Sequence, residues 1–488
     1  MTTNGTEERP LPDGWTWTTI GEVITDIRNG VSGKQNKDGN GYPVSRIETI
    51  SDGVVNLGKI GYLNVDHQKI EKYQLHEGDI LFSNINSDFH LGKTALIGKG
   101  YELYHGMNLL LLRPNLQFVL PRFLHYLFNQ YRFDGFFISI AQHAVNQSSI
   151  NQTKLRNVPV PLPPMLEQER IVAEIEKQFT RLDQAVASLR RLQGGLARYK
   201  ASVLKAACEG RLVPQDPNDE PAAALLARIL AERRAQWQVA NPGKRYKEVE
   251  GVETADLPDL PHGWVWARVD QLGEVRLGRQ RSPKNHQGLH MHPYLRAANA
   301  TWDGADLSDV MEMNFKPSEL EIYRLKKGDI LLSEASGSAN EVGKPFIWKE
   351  QIPDCCFQNT LIRVRLFHLP PYYLHLHFFT DALTGRFGRI AKGVGIHHLG
   401  ANRLAEMPVA IPPLAEQERI VAEVERRLSV VSATEQAITA NLARAERLRQ
   451  SILHRAFNGR LVPQESDAAQ AQAITANSIS TERQRITV

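Results

Sequence analysis

Hydrophobic positions follow two rhythms along this chain. With Val172, Phe179, Val186, Gln193 and Lys200 at heptad position a, every d position is apolar: Ile175, Leu182, Leu189, Leu196 and Val203. A later run repeats the pattern, with Val421, Leu428, Glu435, Leu442 and Arg449 at a and Val424, Val431, Ile438, Ala445 and Ile452 at d. Such d columns predict two helices of about 40 residues, roughly 60 Å long at about 1.5 Å per residue, each seamed against a partner. Polar residues at a cost stability but restrict register and partner. Elsewhere, short apolar runs bounded by Gly, Pro or Asn, such as residues 79–82 and 108–112, predict strands, and residues 121–128 predict an amphipathic helix. The parts outside the heptads therefore read as α+β.

The pattern is written twice. Residues 163–174, PPMLEQERIVAE, return 249 positions later as PPLAEQERIVAE at 412–423. In step with them, LPDGWTW at 11–17 answers LPHGWVW at 260–266, and EGDILFSN at 77–84 answers KGDILLSE at 327–334. PVSR at 43–46 matches PYLR at 293–296, Gly92-Lys93 matches Gly343-Lys344, and GRLVPQ at 210–215 recurs at 459–464. A repeat sustained at this offset means two copies of one large unit rather than a solenoid; at 488 residues the chain also exceeds what one core usually supports. The expected organisation is a disordered tail at 1–10, a globular domain at 11–160 and a coiled-coil helix at 161–215. A linker at 216–259 follows, with a short helix from 221 to about 237. A second globular domain at 260–409, a second coiled-coil helix at 410–464 and a flexible tail at 465–488 complete it.

Charge along the helices predicts their orientation. The first opens with Glu167, Glu169, Glu174, Glu176 and Asp183 and closes with Arg190, Arg191, Arg198, Lys200 and Lys205. The second runs from Glu416, Glu418, Glu423 and Glu425 to Arg444, Arg447, Arg449 and Arg455. Parallel packing would set like against like, whereas antiparallel packing sets acid against base and agrees with the helix dipoles. The linker then has only to turn the chain around locally. The fold expected is two similar α+β domains joined by a long two-helix antiparallel coiled coil, with an internal pseudo-twofold repeat.

Composition narrows function. The net charge of +4 permits a polyanionic partner only through local patches. Cys208, Cys355 and Cys356 form no metal or disulfide spacing, and with no apolar leader or membrane-length run a reduced, cytoplasmic protein with no membrane partner is expected. Apparent catalytic motifs fail on chemistry. Leu369-Pro370-Pro371-Tyr372 resembles an amino-methyltransferase motif but lacks the acceptor side chain at its first position. Gly92-Lys93-Thr94 lacks the first glycine of a phosphate loop. His375 with His377, or His397 with His398, have no supporting ligand at metal spacing. No catalytic or metal site is expected.

Polar loops remain, rich in side chains that read base edges and phosphates. In the first domain these are Arg28, Lys34, Gln35, Asn36, Lys37 and Arg46, then Gln142, His143, Asn146 and Gln147. In the second they are Arg276, Arg279, Gln280, Arg281, Lys284, Asn285, His286 and Arg296, then His397 and His398. The stretch from 276 to 286 contains no acid, which favours DNA over the competing reading of a coiled-coil scaffold with two protein-binding domains and no nucleic acid.

The duplicated Pro-Pro-x-x-Glu-Gln-x-x-Ile helix start, the helix-ending GRLVPQ and the two divergent domains resemble the specificity subunits of type I restriction-modification enzymes, over residues 11–464. The resemblance implies a non-catalytic subunit with two target-recognition domains, each reading half of a bipartite site in double-stranded DNA. It implies two methyltransferase (modification) subunits as partners, which would use S-adenosylmethionine to methylate adenine, and restriction subunits using ATP with Mg. No cofactor is expected on this chain. Divergence between the domains predicts an asymmetric target.

Overall fold

The computed structural model describes residues 10–464 apart from 52, 146, 339, 340 and 394. The expected tails at 1–10 and 465–488 fall outside the described residues, except for Pro10. The longer helices are α1 (Pro121–Phe133), α2 (Met165–Cys208), α3 (Ala222–Ala240), α4 (Pro371–Leu383) and α5 (Leu414–Ala456). Two compact units divide the chain, one of residues 1–190 with 439–488 and one of residues 191–438. The division falls inside α2 and α5, so each unit holds one half of each long helix.

The first unit is built on a four-stranded antiparallel sheet in the order Ile24–Asn29, Leu110–Pro114, Ile80–Phe82, Thr94–Leu96. Alternation puts Ile80, Phe82, Leu110 and Leu112 on the face that packs with Phe123, Leu124, Leu127 and Phe128 of α1. Leu81, Leu109 and Leu111 pack on the other face with Ala95, Ile97 and Leu103. Burial on both faces explains why this strand is an unbroken leucine run rather than an alternating one. Thr16–Thr19 pairs antiparallel with Pro159–Leu162 where the chain enters α2.

The second unit repeats this plan. Its sheet runs Gly273–Leu277, Leu361–Leu366, Ile330–Ser333, Pro345–Ile347, and Val265–Arg268 pairs with Pro408–Ile411. Ile330, Leu332, Ile362 and Val364 face one core, and Leu331, Phe346 and Leu361 face another. The repeated Gly-Asp-Ile-Leu is a structural knot in both units. Asp79 is buried and takes a two-bond ion pair from Arg113, both bonds at 2.7 Å; Asp329 takes the same from Arg365, again at 2.7 Å. The units diverge beside the sheets. The second has a mixed three-stranded sheet with Tyr294 and Leu295 parallel to Cys356 and Phe357, whereas in the first the pair Tyr42–Val44 with Gly61–Leu63 is extended by a single parallel bridge from Val44 to Tyr104.

Within the stretch read as a linker, α3 packs on the second unit. Ala222 N–H donates to the Gly263 carbonyl at 2.8 Å, and the Arg233 guanidinium lies 5.3 Å from the centre of the Phe367 ring.

Inside each unit an N-terminal half of one long helix packs beside a C-terminal part of the other. In the first unit, Ile171, Val172, Ile175 and Phe179 share a core with Ile452, Leu453, Ala456 and Phe457. In the second, Val203, Leu204 and Ala207 share one with Ile420 and Val424. Several of the acids expected to face the partner helix have other partners in the structure. Glu167 and Glu416 are buried, and the Trp264 indole donates to Glu416 Oε2 at 3.0 Å. Glu176 pairs with Arg122 of α1, and Glu423 with Arg426 and Arg427 on its own helix. In the first unit the ion pair between the helices is Asp183–Arg449, with the Arg449 guanidinium 4.3 Å from the Phe179 ring centre. Within each unit the two helices meet through apolar side chains that are continuous with the globular core, and in the first unit the Asp183–Arg449 pair adds charge to that contact.

Candidate nucleic-acid interface

In the first unit the loops place the sequence-derived residues on two surfaces. Lys37 and Arg46 line a groove of about 620 Å³ with Glu48, Lys59 and Tyr62. Arg46 caps a 3-10 turn at Ile47–Ile50 by donating its N–H to Thr49 Oγ1 at 2.8 Å, and its guanidinium is 3.3 Å from Glu48. Lys34 is exposed and Gln35 half-buried. Asn36 serves the loop itself: its side chain donates to the Asn40 carbonyl at 2.9 Å and accepts from Asp38 N–H at 3.0 Å. Arg28 is half-buried against Asp26 at 3.1 Å, and its guanidinium is 6.0 Å from the Tyr73 ring centre.

The second surface is a hairpin. Gln142–Ala144 pairs with Gln147–Ser149, which pairs in turn with Ile85–Asn86. Gln142, His143 and Gln147 are exposed, Val145 at the tip is 92% exposed, and Asn146 lies outside the described residues. Ser148 Oγ bonds His143 Nδ1 at 2.8 Å and donates to Asp88, which ties the hairpin to the loop after Ile85–Asn86.

Residues that the sequence did not single out join the two surfaces. Ser51 lines the Lys37–Arg46 groove and also a neighbouring one of about 690 Å³ that contains Lys93, Arg122, His125 and Arg132. Lys59 Nζ donates to Ser51 Oγ at 2.9 Å, and Lys93 Nζ to the Ser51 carbonyl at 2.5 Å. Arg132 donates to the Phe89 carbonyl at 3.2 Å, next in the chain to Asp88. A basic strip thus runs from Arg46 through Lys59 and Lys93 to Arg132 and the hairpin. Burial, then the charges of Lys93 and Arg132, lower the pKa of His90 beside it. Lys93 belongs to the Gly92-Lys93-Thr94 stretch, which forms a turn. The turn is real, since Gly92 has φ of +75° and a Cβ there would lie 2.3 Å from Phe137, but its lysine projects into this strip.

In the second unit, Gln280, Arg281, Lys284 and His286 are exposed and Asn285 is half-buried, around a 3-10 turn at Pro283–Asn285; Arg281 Nε donates to His286 Nε2 at 3.1 Å. His397–His398 pairs with Ala335–Ser336, the counterpart of the first unit's hairpin position, and His398 Nδ1 lies 2.9 Å from Glu334. Arg276 is paired with Glu274 at 2.9 Å, and Arg296 caps a turn and pairs with Asp309.

Arg279 requires correction. It is only 9% exposed, bonds Glu319 at 3.0 Å and the Asn314 carbonyl at 2.6 Å, and lies 5.0 Å from the Phe315 ring centre. A guanidinium so fully engaged holds the loop together rather than reading a ligand. Its basic neighbours in sequence gave no sign that one of them turns inward.

The motifs set aside are structural. Pro371 begins α4 and Tyr372 is 56% exposed, with no polar acceptor preceding it. His375 is half-buried, and desolvation lowers its pKa to about 4; His377 is buried and pairs with Asp381 at 3.0 Å. Burial pushes the Cys208, Cys355 and Cys356 thiols up to about 12. Among the described residues, no group of three or more His, Cys, Asp or Glu is placed to hold a metal, and no helix is long and apolar enough to cross a membrane.

Fold and surface define a duplicated mixed α/β protein with exposed polar loops on each copy. The family model described as Type I restriction modification DNA specificity domain matches twice, at residues 12–187 and 261–444, and the chain belongs to that family. It is 24% identical over 462 residues to the EcoKI specificity subunit of Escherichia coli K12, covering 93% of this chain and 90% of that one. Over 179 residues it is 48% identical to a chain provisionally assigned as the MjaX specificity subunit of Methanocaldococcus jannaschii, spanning 36% of this chain and 42% of that relative. Among solved structures, a chain from work on assembly and conformational transition of the type I R-M system matches with TM-score 0.63 at 20% identity, over 93% of this chain and 100% of that one. The HsdS subunit from Thermoanaerobacter tengcongensis matches with TM-score 0.54 at 20% identity, over 93% and 99%.

Proposed function

We propose that this chain is the DNA-specificity subunit of a type I restriction-modification complex and has no catalytic role of its own. Each unit reads one half of a bipartite, asymmetric site in double-stranded DNA. The observation that carries this reading is the double match to a DNA specificity domain, set on two units with the same sheet order but different loops. In the first unit the reading surface is Lys34, Gln35, Lys37 and Arg46 with the hairpin Gln142, His143 and Gln147. In the second it is Gln280, Arg281, Lys284, Asn285, His286 and His397. The long helices α2 and α5 act as an antiparallel coiled-coil spacer and dock two methyltransferase subunits, whose S-adenosylmethionine supplies the methyl group; restriction subunits add ATP with Mg. The cytoplasm, where the DNA lies, is its compartment.

Salt dependence tests the reading. Binding of the full chain to duplex DNA should weaken linearly in log–log form, with a slope of about −0.9 per phosphate contact. A slope near zero, or no duplex binding at all, would favour the protein-scaffold alternative.

A further inference from the structure

We propose that Phe89 is a specificity-determining residue of the first unit, resting on the DNA-reading function above. Its ring packs against the bases of that unit's half-site while Lys93 and Arg132 take the flanking phosphates.

Phe89 is 73% exposed, although a phenylalanine gains most by burial. A single exposed aromatic is ordinary on a protein surface; this one is held in place. Its carbonyl accepts the Arg132 guanidinium at 3.2 Å, and the preceding Asp88 accepts from Ser148 of the hairpin and lies 3.6 Å from His143. Lys93 Nζ stands 5.5 Å and Arg132 Cζ 5.9 Å from the ring centre, and the His90 ring meets it edge-on at 4.9 Å. Cation–π attraction therefore steadies the ring without burying it. The same cations line the groove of about 690 Å³ that continues the basic strip. An apolar side chain fixed among phosphate-binding cations, beside a hairpin of exposed amides, suits a duplex. Apolar wedges of this kind contact thymine methyls or partly unstack a base step. An apolar protein partner would have to strip water from Lys93 and Arg132 beside the ring.

The full chain, as wild type, Phe89→Ala and Phe89→Trp, would be used to select from a pool of randomised duplexes, and the recovered sequences compared. Phe89→Ala should lose preference at one or two adjacent positions of one half-site and bind the wild-type sequence roughly tenfold more weakly, as expected for loss of an apolar base contact. The second half-site and the salt slope should not change, and Phe89→Trp should keep the preference. Lys59→Ala, in the basic strip but away from Phe89, should instead weaken binding across all sequences and reduce the salt slope by about one. Circular dichroism and melting show whether Phe89→Ala keeps the native fold. An unchanged selected sequence overturns the proposal, as does loss in which specific and non-specific duplexes suffer equally. So does an effect confined to capture of a protein partner. If the wild type itself selects nothing, the DNA-reading function fails too, which separates the two outcomes.

Discussion

His105 is buried, His125 and His375 are half-buried, and loss of water around each imidazole lowers its pKa to about 4. Between about 6.5, the unfolded value, and 4, the unfolded chain binds more protons than the folded one, so stability falls as pH falls through that window. Near pH 5 each histidine takes up almost one proton on unfolding, a slope of about 1.4 kcal/mol per pH unit per residue. Two of the three lie in the first unit, which should therefore be the more acid-sensitive. His125, held between Thr94 at 3.0 Å and Asn129 at 3.2 Å, is the one to replace. His125→Gln should flatten the pH dependence of melting between pH 7 and 5; a slope identical to wild type would show that it does not titrate this way. Glu416 behaves oppositely. Burial raises its pKa, partly offset by the Trp264 indole, Gln215 and nearby Arg419. The penalty for ionising it is absent at low pH and appears as pH rises above the unfolded value. Glu416→Gln, which keeps an acceptor for Trp264, should match or exceed wild-type stability at pH 7, and Glu416→Ala should fall below it in the same melting series.

At the scale of elements, helix ends are stitched to domain starts. Gly459, at φ of +66°, sets the start of GRLVPQ against the first unit's entry, where a Cβ would lie 2.2 Å from Pro12 Cγ; Gly210 meets Pro261 and Trp264 in the same way at φ of +65°. Left-handed backbone costs a non-glycine residue about 1–2 kcal/mol, and the collision adds to it. Gly459→Ala should thus destabilise the first unit by more than about 2 kcal/mol in chemical denaturation. Gly100→Ala is the control, being left-handed at +82° with open space around it. Equal losses would mean that the stitch contributes nothing. Along the helices, Phe179→Ala should cost about 3 kcal/mol. The Asp183–Arg449 coupling in a double-mutant cycle should stay below about 1 kcal/mol, because Asp183 is largely exposed. A coupling above the Phe179 loss would restore charge as the selector of helix orientation. The repeat, the long helices and the strand runs were all visible in the sequence, because apolar periodicity survives without neighbours. The burial of Glu167 and Glu416 was not, since a glutamate at a helix start reads as a dipole partner until the residues that cover it, such as Trp264 over Glu416, are in place.

At the scale of the whole molecule, the reading of α2 and α5 as a spacer makes a geometric prediction. Seven residues inserted into each helix keep the heptad register and lengthen it by about 10 Å, or about three base pairs at 3.4 Å each. Methylome sequencing of cells expressing the lengthened chain with its methyltransferase should find the same half-site letters further apart. Unchanged spacing would show that the helices do not set the distance. Duplication, helix length and the family were determined by the sequence alone, since each is a matter of order and period along the chain. Which basic loop residues face outward was decided only by tertiary structure. Arg279 and Arg281 are two positions apart and equally basic, yet one bonds Glu319 and Asn314 while the other stays at the surface. Lys59, Lys93 and Arg132 are scattered along the sequence and share one strip only because the fold brings two loops at Ser51 beside the end of α1. A local pattern records what a residue prefers; the acid or carbonyl that will meet its charge comes from elsewhere in the chain.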